Sequence, residues 1–201
     1  MSYAATTEMN CLVRAVFLDR DGVINRPASR DSYITLAAEF EPLPNSLLAI
    51  AELTRAGYLL LIITNQRGIA RGIIKSADLE EIHAKLLRAV ERWGGRIAKI
   101  YVCPHDYSDE CNCRKPKPGM LLQAQIEHQI ALSASWVVGD SESDILAGKQ
   151  VGCKTAFIGD VVSGLAVDIC AKSLEEAAQA IIQYDNPSSS KAEPHKPMVF
   201  V

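Results

Sequence analysis

Ala-Val-Phe-Leu-Asp-Arg-Asp-Gly-Val-Ile-Asn, residues 15–25, is the stretch on which the reading of the fold turns. The run Ala15-Val16-Phe17-Leu18 is short, rich in β-branched and aromatic residues and without polar alternation, the pattern of a strand covered on both faces in a parallel sheet. It stops at Asp19 and Asp21 with Gly22 just beyond, so two carboxylates fall at a strand's C-terminal end. In an open parallel α/β sheet that end faces the crevice where ligands bind. Taken alone, the same residues also suit a polar turn, because Asp and Gly are common turn formers.

Outward from this stretch, apolar runs alternate with helical periodicity. Residues 58–63, 97–102, 136–138 and 154–158 predict further strands, and 167–170 a weaker one. Helices are predicted from a cap at Asn45 to a stop at Gly57, from Ser76 to about Trp93 before Gly94-Gly95, and over residues 119–130. Two more follow, one opened by Ser141 with Asp144 three residues on and stopping at Gly152, the other by Ser173 with Glu176 in the same relation, both resembling capping boxes. The alternation predicts a doubly wound, Rossmann-like α/β parallel sheet with helices on both faces, and no insertion is long enough for a separate cap domain. Residues 26–44, punctuated by Pro27, Pro42 and Pro44, are read as an irregular flap above the first strand's end, and a loop of this length is usually functional. His83 falls on the apolar stripe of the second helix and is read as a packed or edge histidine, not a ligand. The boundaries drawn are a lead-in at 1–13, one domain at 14–184 and a tail at 185–201 rich in Asn, Pro, Ser and Lys.

A chain of 201 residues with 48% hydrophobic and 22% charged residues can bury one core without staples. A net charge of -3 gives no electrostatic footprint for nucleic acid or for an anionic membrane, so any anionic ligand must be met by local cations. No apolar run approaches the roughly 20 residues of a membrane span, and residues 1–10 lack a secretion pattern. A cytoplasmic monomer is the default expectation. Six cysteines then point to metal binding or buried thiols rather than to disulfides.

Three strand ends carry distinct polar clusters: Asp19 and Asp21 after the first, Thr64-Asn65-Gln66 after the second, Gly139-Asp140 after the fourth. Asp19, Asp21 and Asp140 together offer oxygen ligands to Mg²⁺, which is often shared with a substrate phosphate. A carboxylate beside such an ion can attack phosphorus and form an acyl phosphate. The Thr64 hydroxyl and the Lys115 ammonium offer the hydrogen bond and charge that a phosphoryl group requires. Separately, Cys103-x-His105-x5-Cys111-x-Cys113 supplies three thiolates and one imidazole, a closed tetrahedral set for structural Zn²⁺ with no position left for a catalytic water. Such a loop would hold Arg114 and Lys115 towards the strand ends. A nucleic-acid-binding finger is the competing reading, but no recognition-helix pattern follows the cluster.

With these motifs in order, the chain resembles phosphatases of the haloacid dehalogenase superfamily: Asp19-Arg20-Asp21-Gly22-Val23, Thr64-Asn65-Gln66, Lys115 and Gly139-Asp140-Ser141-Glu142-Ser143-Asp144 are similar to its four motifs. The resemblance implies that Asp19 is the nucleophile, that Asp21 is the general acid and base, and that Thr64 and Lys115 stabilise the phosphoryl group. It also implies that Asp19, the backbone carbonyl of Asp21 and Asp140 bind Mg²⁺, with Asp144 supporting the ion through water. From about residue 15 to 182 the chain more closely resembles the D-glycero-D-manno-heptose 1,7-bisphosphate 7-phosphatases. The segment Thr64-Asn65-Gln66-Arg67-Gly68-Ile69-Ala70-Arg71-Gly72 and the zinc loop running into Arg114-Lys115-Pro116 carry that likeness. A small phosphorylated substrate of heptose biosynthesis is implied, with Asn65, Arg67, Arg71 and Arg114 as substrate-binding residues. Arg67 stands where that family usually has serine. The histidinol phosphate phosphatases, with a similar zinc loop and the same four motifs, are the nearest rival.

Overall fold

The computed structural model describes residues 12–29, 32–160 and 164–186. Most of the lead-in and the tail from residue 187 lie outside these residues. Strand β1 (Ala15–Leu18) sits inside a sheet with β2 (Leu59–Asn65), β3 (Lys99–Cys103), β4 (Trp136–Gly139), β5 (Lys154–Ile158) and β6 (Ile169–Ala171). All neighbours are parallel and the order is β3-β2-β1-β4-β5-β6, the doubly wound arrangement the alternation predicts. The chain reverses direction of winding between β1 and β4, so the ends of these two strands border the crevice.

Helices α1 (Ser46–Arg55), α2 (Ser76–Arg92) and α5 (Leu174–Asp185) share one face, and α3 (Gly119–His128) and α4 (Glu142–Gln150) the other. The period of two along each strand sorts its side chains between them. Val16 and Leu18 join the core with Ile50, Leu53, Ile82 and Leu86, while Ala15 and Phe17 join the core with Met120, Leu121 and Ala124. Every residue of β1 is completely buried, which is why the strand reads as an unbroken apolar run. Burial stabilises each of Val16, Phe17 and Leu18 by roughly 1.5–3 kcal/mol. That fixes the strand from which Asp19 emerges.

Several local expectations are adjusted. Asn45 does not cap α1 with its side chain: its backbone is left-handed, with φ 57°, and its amide donates to Glu175 at 2.8 Å. At the other end of α1 the expected stop at Gly57 is made by hydrogen bonds from Gly57 N to Thr54 O and from Tyr58 N to Leu53 O. Strand β3 starts at Lys99, two residues later than its apolar run, and α3 ends at His128. Strand β6 runs Ile169–Ala171, one residue beyond its expected end. Of the lead-in, Val13 is paired, bridging to Ile130.

Composition put Asp185 at the start of the tail, but it ends α5 and is bound to the sheet. Its Oδ2 accepts from Tyr58 Oη at 2.7 Å and Trp136 Nε1 at 3.2 Å, and its Oδ1 from Lys154 Nζ at 2.8 Å. These partners stand at the N-terminal ends of β2, β4 and β5, opposite the crevice.

Candidate active site

Lys115 is the centre of the crevice. Its ammonium donates to the carbonyl of Ile63 at 2.8 Å and pairs with two carboxylates, at 2.8 Å from Asp19 Oδ1 and 2.6 Å from Asp144 Oδ1. Asp19 arrives on the end of β1, whose register is locked by a 3.0 Å bond from the Asp19 N–H to Val138 O. Asp144 arrives from the first turn of α4 and is fully buried. Its Oδ2 accepts from the Ser141 N–H at 3.1 Å and from the Ser141 hydroxyl at 2.6 Å, so the capping residue of α4 also serves the site. Lys115 is delivered by its loop, because the Asn65 amide pairs with the Lys115 backbone at 3.1 and 3.2 Å. Asn65 therefore holds Lys115 in position with its side chain while also lining the neighbouring cavity.

Burial acts against the Lys115 charge, but the carboxylates of Asp19 and Asp144 outweigh it and hold the ammonium up at about 12. Burial pushes Asp19 up to about 7, with Asp144 and Asp140 adding to the rise and Lys115 opposing it. Asp140, at the open lip of the group, is raised in the same way by lost hydration and by Asp144. Oxygens of Asp19, Asp140 and Asp144 all lie within 4.8 Å of one another. Three carboxylates meeting one ammonium carry a formal -2, which a hard divalent cation with oxygen ligands would neutralise. The donor set thus fits Mg²⁺. Two glycines make room for it: a side chain at Gly22, where φ is +87°, would overlap the Asp140 carboxylate, and one at Gly139 would overlap Asp144.

Asp21 stands apart from this trio. Its Oδ1 accepts from Arg20 Nη2 at 3.0 Å and Asn25 Nδ2 at 2.9 Å, and its Oδ2 from Arg20 Nη2 at 2.8 Å and Gln66 Nε2 at 3.0 Å. The same Gln66 nitrogen donates to the Thr64 hydroxyl at 2.8 Å, so Asp21 and Thr64 are one amide apart. Asp21, Gln66, Asn65 and Tyr33 line a cavity of about 260 Å³ under the flap. Arg20, Asn25 and Gln66 join the site residues that the sequence predicts, and a charged Arg between two acids at a strand end is the signal that points to the first of them.

Flap residues Pro27, Ala28, Tyr33 and Ile34 line this cavity, and two arginines reach its Tyr33. Tyr33 Oη accepts from Arg67 Nε at 3.2 Å and Arg71 Nη1 at 3.4 Å, while Arg67 Nη1 lies 3.8 Å from Asp106 Oδ1. Arg114 stacks on Tyr107 at 4.3 Å and donates to His105 O at 3.2 Å. Among the described residues, Arg67 meets the carboxylate of Asp106, and the three cations contact the rings or hydroxyls of Tyr33 and Tyr107.

The zinc loop closes as its spacing predicts. Sγ of Cys111 lies 3.6 Å from that of Cys103 and 3.5 Å from that of Cys113, and His105 Nδ1 lies 3.2 Å from Cys113 Sγ and 3.8 Å from Cys103 Sγ. A tetrahedral zinc with Zn–S of about 2.3 Å requires S···S edges of about 3.8 Å and N···S edges of about 3.6 Å. The four ligands can hold the ion with no more than small adjustments.

Comparison with known proteins follows the same lines. A family model described as HAD-hydrolase-like matches residues 112–165. The D-glycero-beta-D-manno-heptose-1,7-bisphosphate 7-phosphatase of Pseudomonas putida is 44% identical over 146 residues, covering 73% of this chain and 82% of the relative. The enzyme of the same name from Pseudomonas aeruginosa is 44% identical over 161 residues, covering 80% and 88%. Among solved structures, the D,D-heptose 1,7-bisphosphate phosphatase of B. bronchiseptica, complexed with magnesium and phosphate, superposes with a TM-score of 0.78 at 34% identity, covering 86% of this chain and 99% of that one.

Proposed function

This chain belongs to the D-glycero-beta-D-manno-heptose-1,7-bisphosphate 7-phosphatase family of HAD-type hydrolases, and from that premise we propose that it hydrolyses the 7-phosphate of the heptose bisphosphate through an aspartyl phosphate on Asp19. The observation that carries the reading is the Lys115 ammonium fixed between Asp19 and Asp144, beside a third carboxylate, at the ends of β1 and β4.

An Asp19 carboxylate oxygen attacks phosphorus, the bond from phosphorus to the sugar oxygen breaks, and that oxygen takes the proton held by Asp21 as it leaves. Water then attacks phosphorus and gives its proton to the Asp21 carboxylate. Phosphate departs and Asp19 recovers its carboxylate. Lys115 and the Thr64 hydroxyl meet the phosphoryl oxygens, where fixed donors supply much of the rate enhancement. Asp19, Asp140 and the Asp21 carbonyl would hold Mg²⁺, with Asp144 behind, and the ion would offset the charge of two anions brought together. Arg67, Arg71 and Arg114 would favour a substrate with a second anionic group, a reading supported by the contacts of Arg67 and Arg71 with Tyr33 on the cavity wall. The zinc ligands would fix Arg114 and Lys115 without taking part in the chemistry.

Steady-state turnover of heptose 1,7-bisphosphate, histidinol phosphate and other sugar bisphosphates tests the assignment. The heptose should have the highest kcat/KM. A faster reaction with histidinol phosphate, or equal rates on all, would overturn the substrate while leaving the chemistry of Asp19 in place.

A further inference from the structure

We propose that Arg20 and His83 are positioning residues that aim the Asp21 carboxyl group at the leaving oxygen, an inference that rests on Asp21 handling the substrate's proton. Arg20 is fixed between the two acids in sequence, yet its side chain is 1% exposed. A guanidinium does not discharge in a protein, so burying one is costly unless partners surround it. Arg20 has two. Its Nε and Nη2 grip Asp21 at 2.8–3.2 Å, and its Nη1 meets His83 Nε2 at 3.1 Å.

Arginine nitrogens only donate, so Nε2 must accept and the imidazole is neutral with its proton on Nδ1. Burial and then the charge of Arg20 push His83 down to about 4, in keeping with a neutral ring at working pH. His83 stands on α2 next to Ile82, which is wholly buried in the core. The helix therefore sets the plane of the guanidinium, and the guanidinium sets the plane of the Asp21 carboxylate. Asn25 donates a further bond to Asp21 Oδ1 and Gln66 one to Oδ2, and Gln66 ties the group to Thr64. The result is an Asp21 that borders the cavity where the sugar would lie and cannot turn freely about its own side-chain bonds.

A purely structural ion pair would slow every phosphomonoester alike. A positioning role depends on the leaving group, because a nitrophenolate departs without protonation whereas a sugar alkoxide needs the proton. The test is kcat/KM of the full chain for heptose bisphosphate and for p-nitrophenyl phosphate, taken as a ratio. Relative to the parent enzyme, Asp21→Asn should lower this ratio about 100-fold or more. His83→Leu and Arg20→Lys should each lower it roughly 10-fold, and His83→Gln, whose amide oxygen can accept in place of Nε2, should stay within about twofold. If Arg20→Lys fails to fold, the two His83 variants carry the test. An unchanged ratio in His83→Leu, with or without a fall in both rates, overturns the positioning role and leaves the phosphatase reading intact. An unchanged ratio in Asp21→Asn removes the premise itself.

Discussion

Replacing Lys115 by Met keeps the length of a buried side chain and deletes its charge. Two carboxylate contacts, at 2.8 Å to Asp19 and 2.6 Å to Asp144, are lost along with the bond to Ile63 O. Removing one partner of a buried ion pair costs about 3–5 kcal/mol because the other is left uncompensated. For a chain of this size that corresponds to a fall in Tm of roughly 6–20 °C in metal-free buffer. The loss should depend on pH. Asp19 is already raised from 3.8 to about 7 with Lys115 beside it, and without Lys115 it must rise further. A carboxyl raised in the folded state binds more protons than the unfolded chain does between those two values, so stability falls as pH increases through that window. The Tm deficit of Lys115→Met should therefore be smaller at pH 5.5 than at pH 8.5, where the unpaired charges are fully developed. Mg²⁺ should restore part of it at the higher pH. Turnover should drop about 10²–10³-fold, the scale for loss of a fixed charge at the reacting group. Scanning fluorimetry at both pH values reads the first effect; a deficit that does not vary with pH, or none at all, would refute the account of Lys115.

Three other perturbations separate the parts of the molecule. Gly22→Ala should strain a backbone at φ +87° and displace the Asp140 carboxylate, so the Mg²⁺ concentration for half-maximal activity should rise by about tenfold or more, as a titration of activity would read. Asp185→Asn should destabilise the fold by about 2–4 kcal/mol at pH 7 while leaving kcat unchanged, because the site lies at the other end of the strands. Despite burial, hydrogen bonds from Lys154, Tyr58 and Trp136 hold Asp185 below the usual carboxylate range. Its contribution is thus present above about pH 4 and lost as pH falls through the depressed value, so acid melts of parent and variant should converge. Stripping zinc with a chelator, or Cys113→Ser, should lower kcat and the Tm together, since the last ligand lies two residues from Lys115; zinc-free enzyme with full turnover would deny the loop its role.

The sheet could be read from sequence because each central strand is buried on both faces and so carries an uninterrupted apolar run, as Val16, Phe17 and Leu18 do. The zinc loop was legible because its four ligands fall within eleven residues, where chain geometry alone brings them together. What sequence could not give was partnership across strands. Asn65 looked like a ligand contact by its place at the end of β2, and only the approach of the Lys115 loop shows where its amide is engaged. Asn45 has the composition of a cap but is drawn to Glu175, 130 residues away, and His83 fits an apolar stripe yet meets Arg20 from the loop after β1. Asp185 has the composition of a polar tail, and composition does not register the three donors that reach it from the starts of separate strands.

The central claim is that Asp19 becomes phosphorylated. Acid quenching during turnover of ³²P-labelled heptose bisphosphate, followed by peptide mapping, should find an acid-stable, hydroxylamine-labile label on the peptide containing Asp19, and none in Asp19→Asn, which should also release no phosphate while remaining folded. Label on another residue, or phosphate release by Asp19→Asn at the parent rate, would contradict the account.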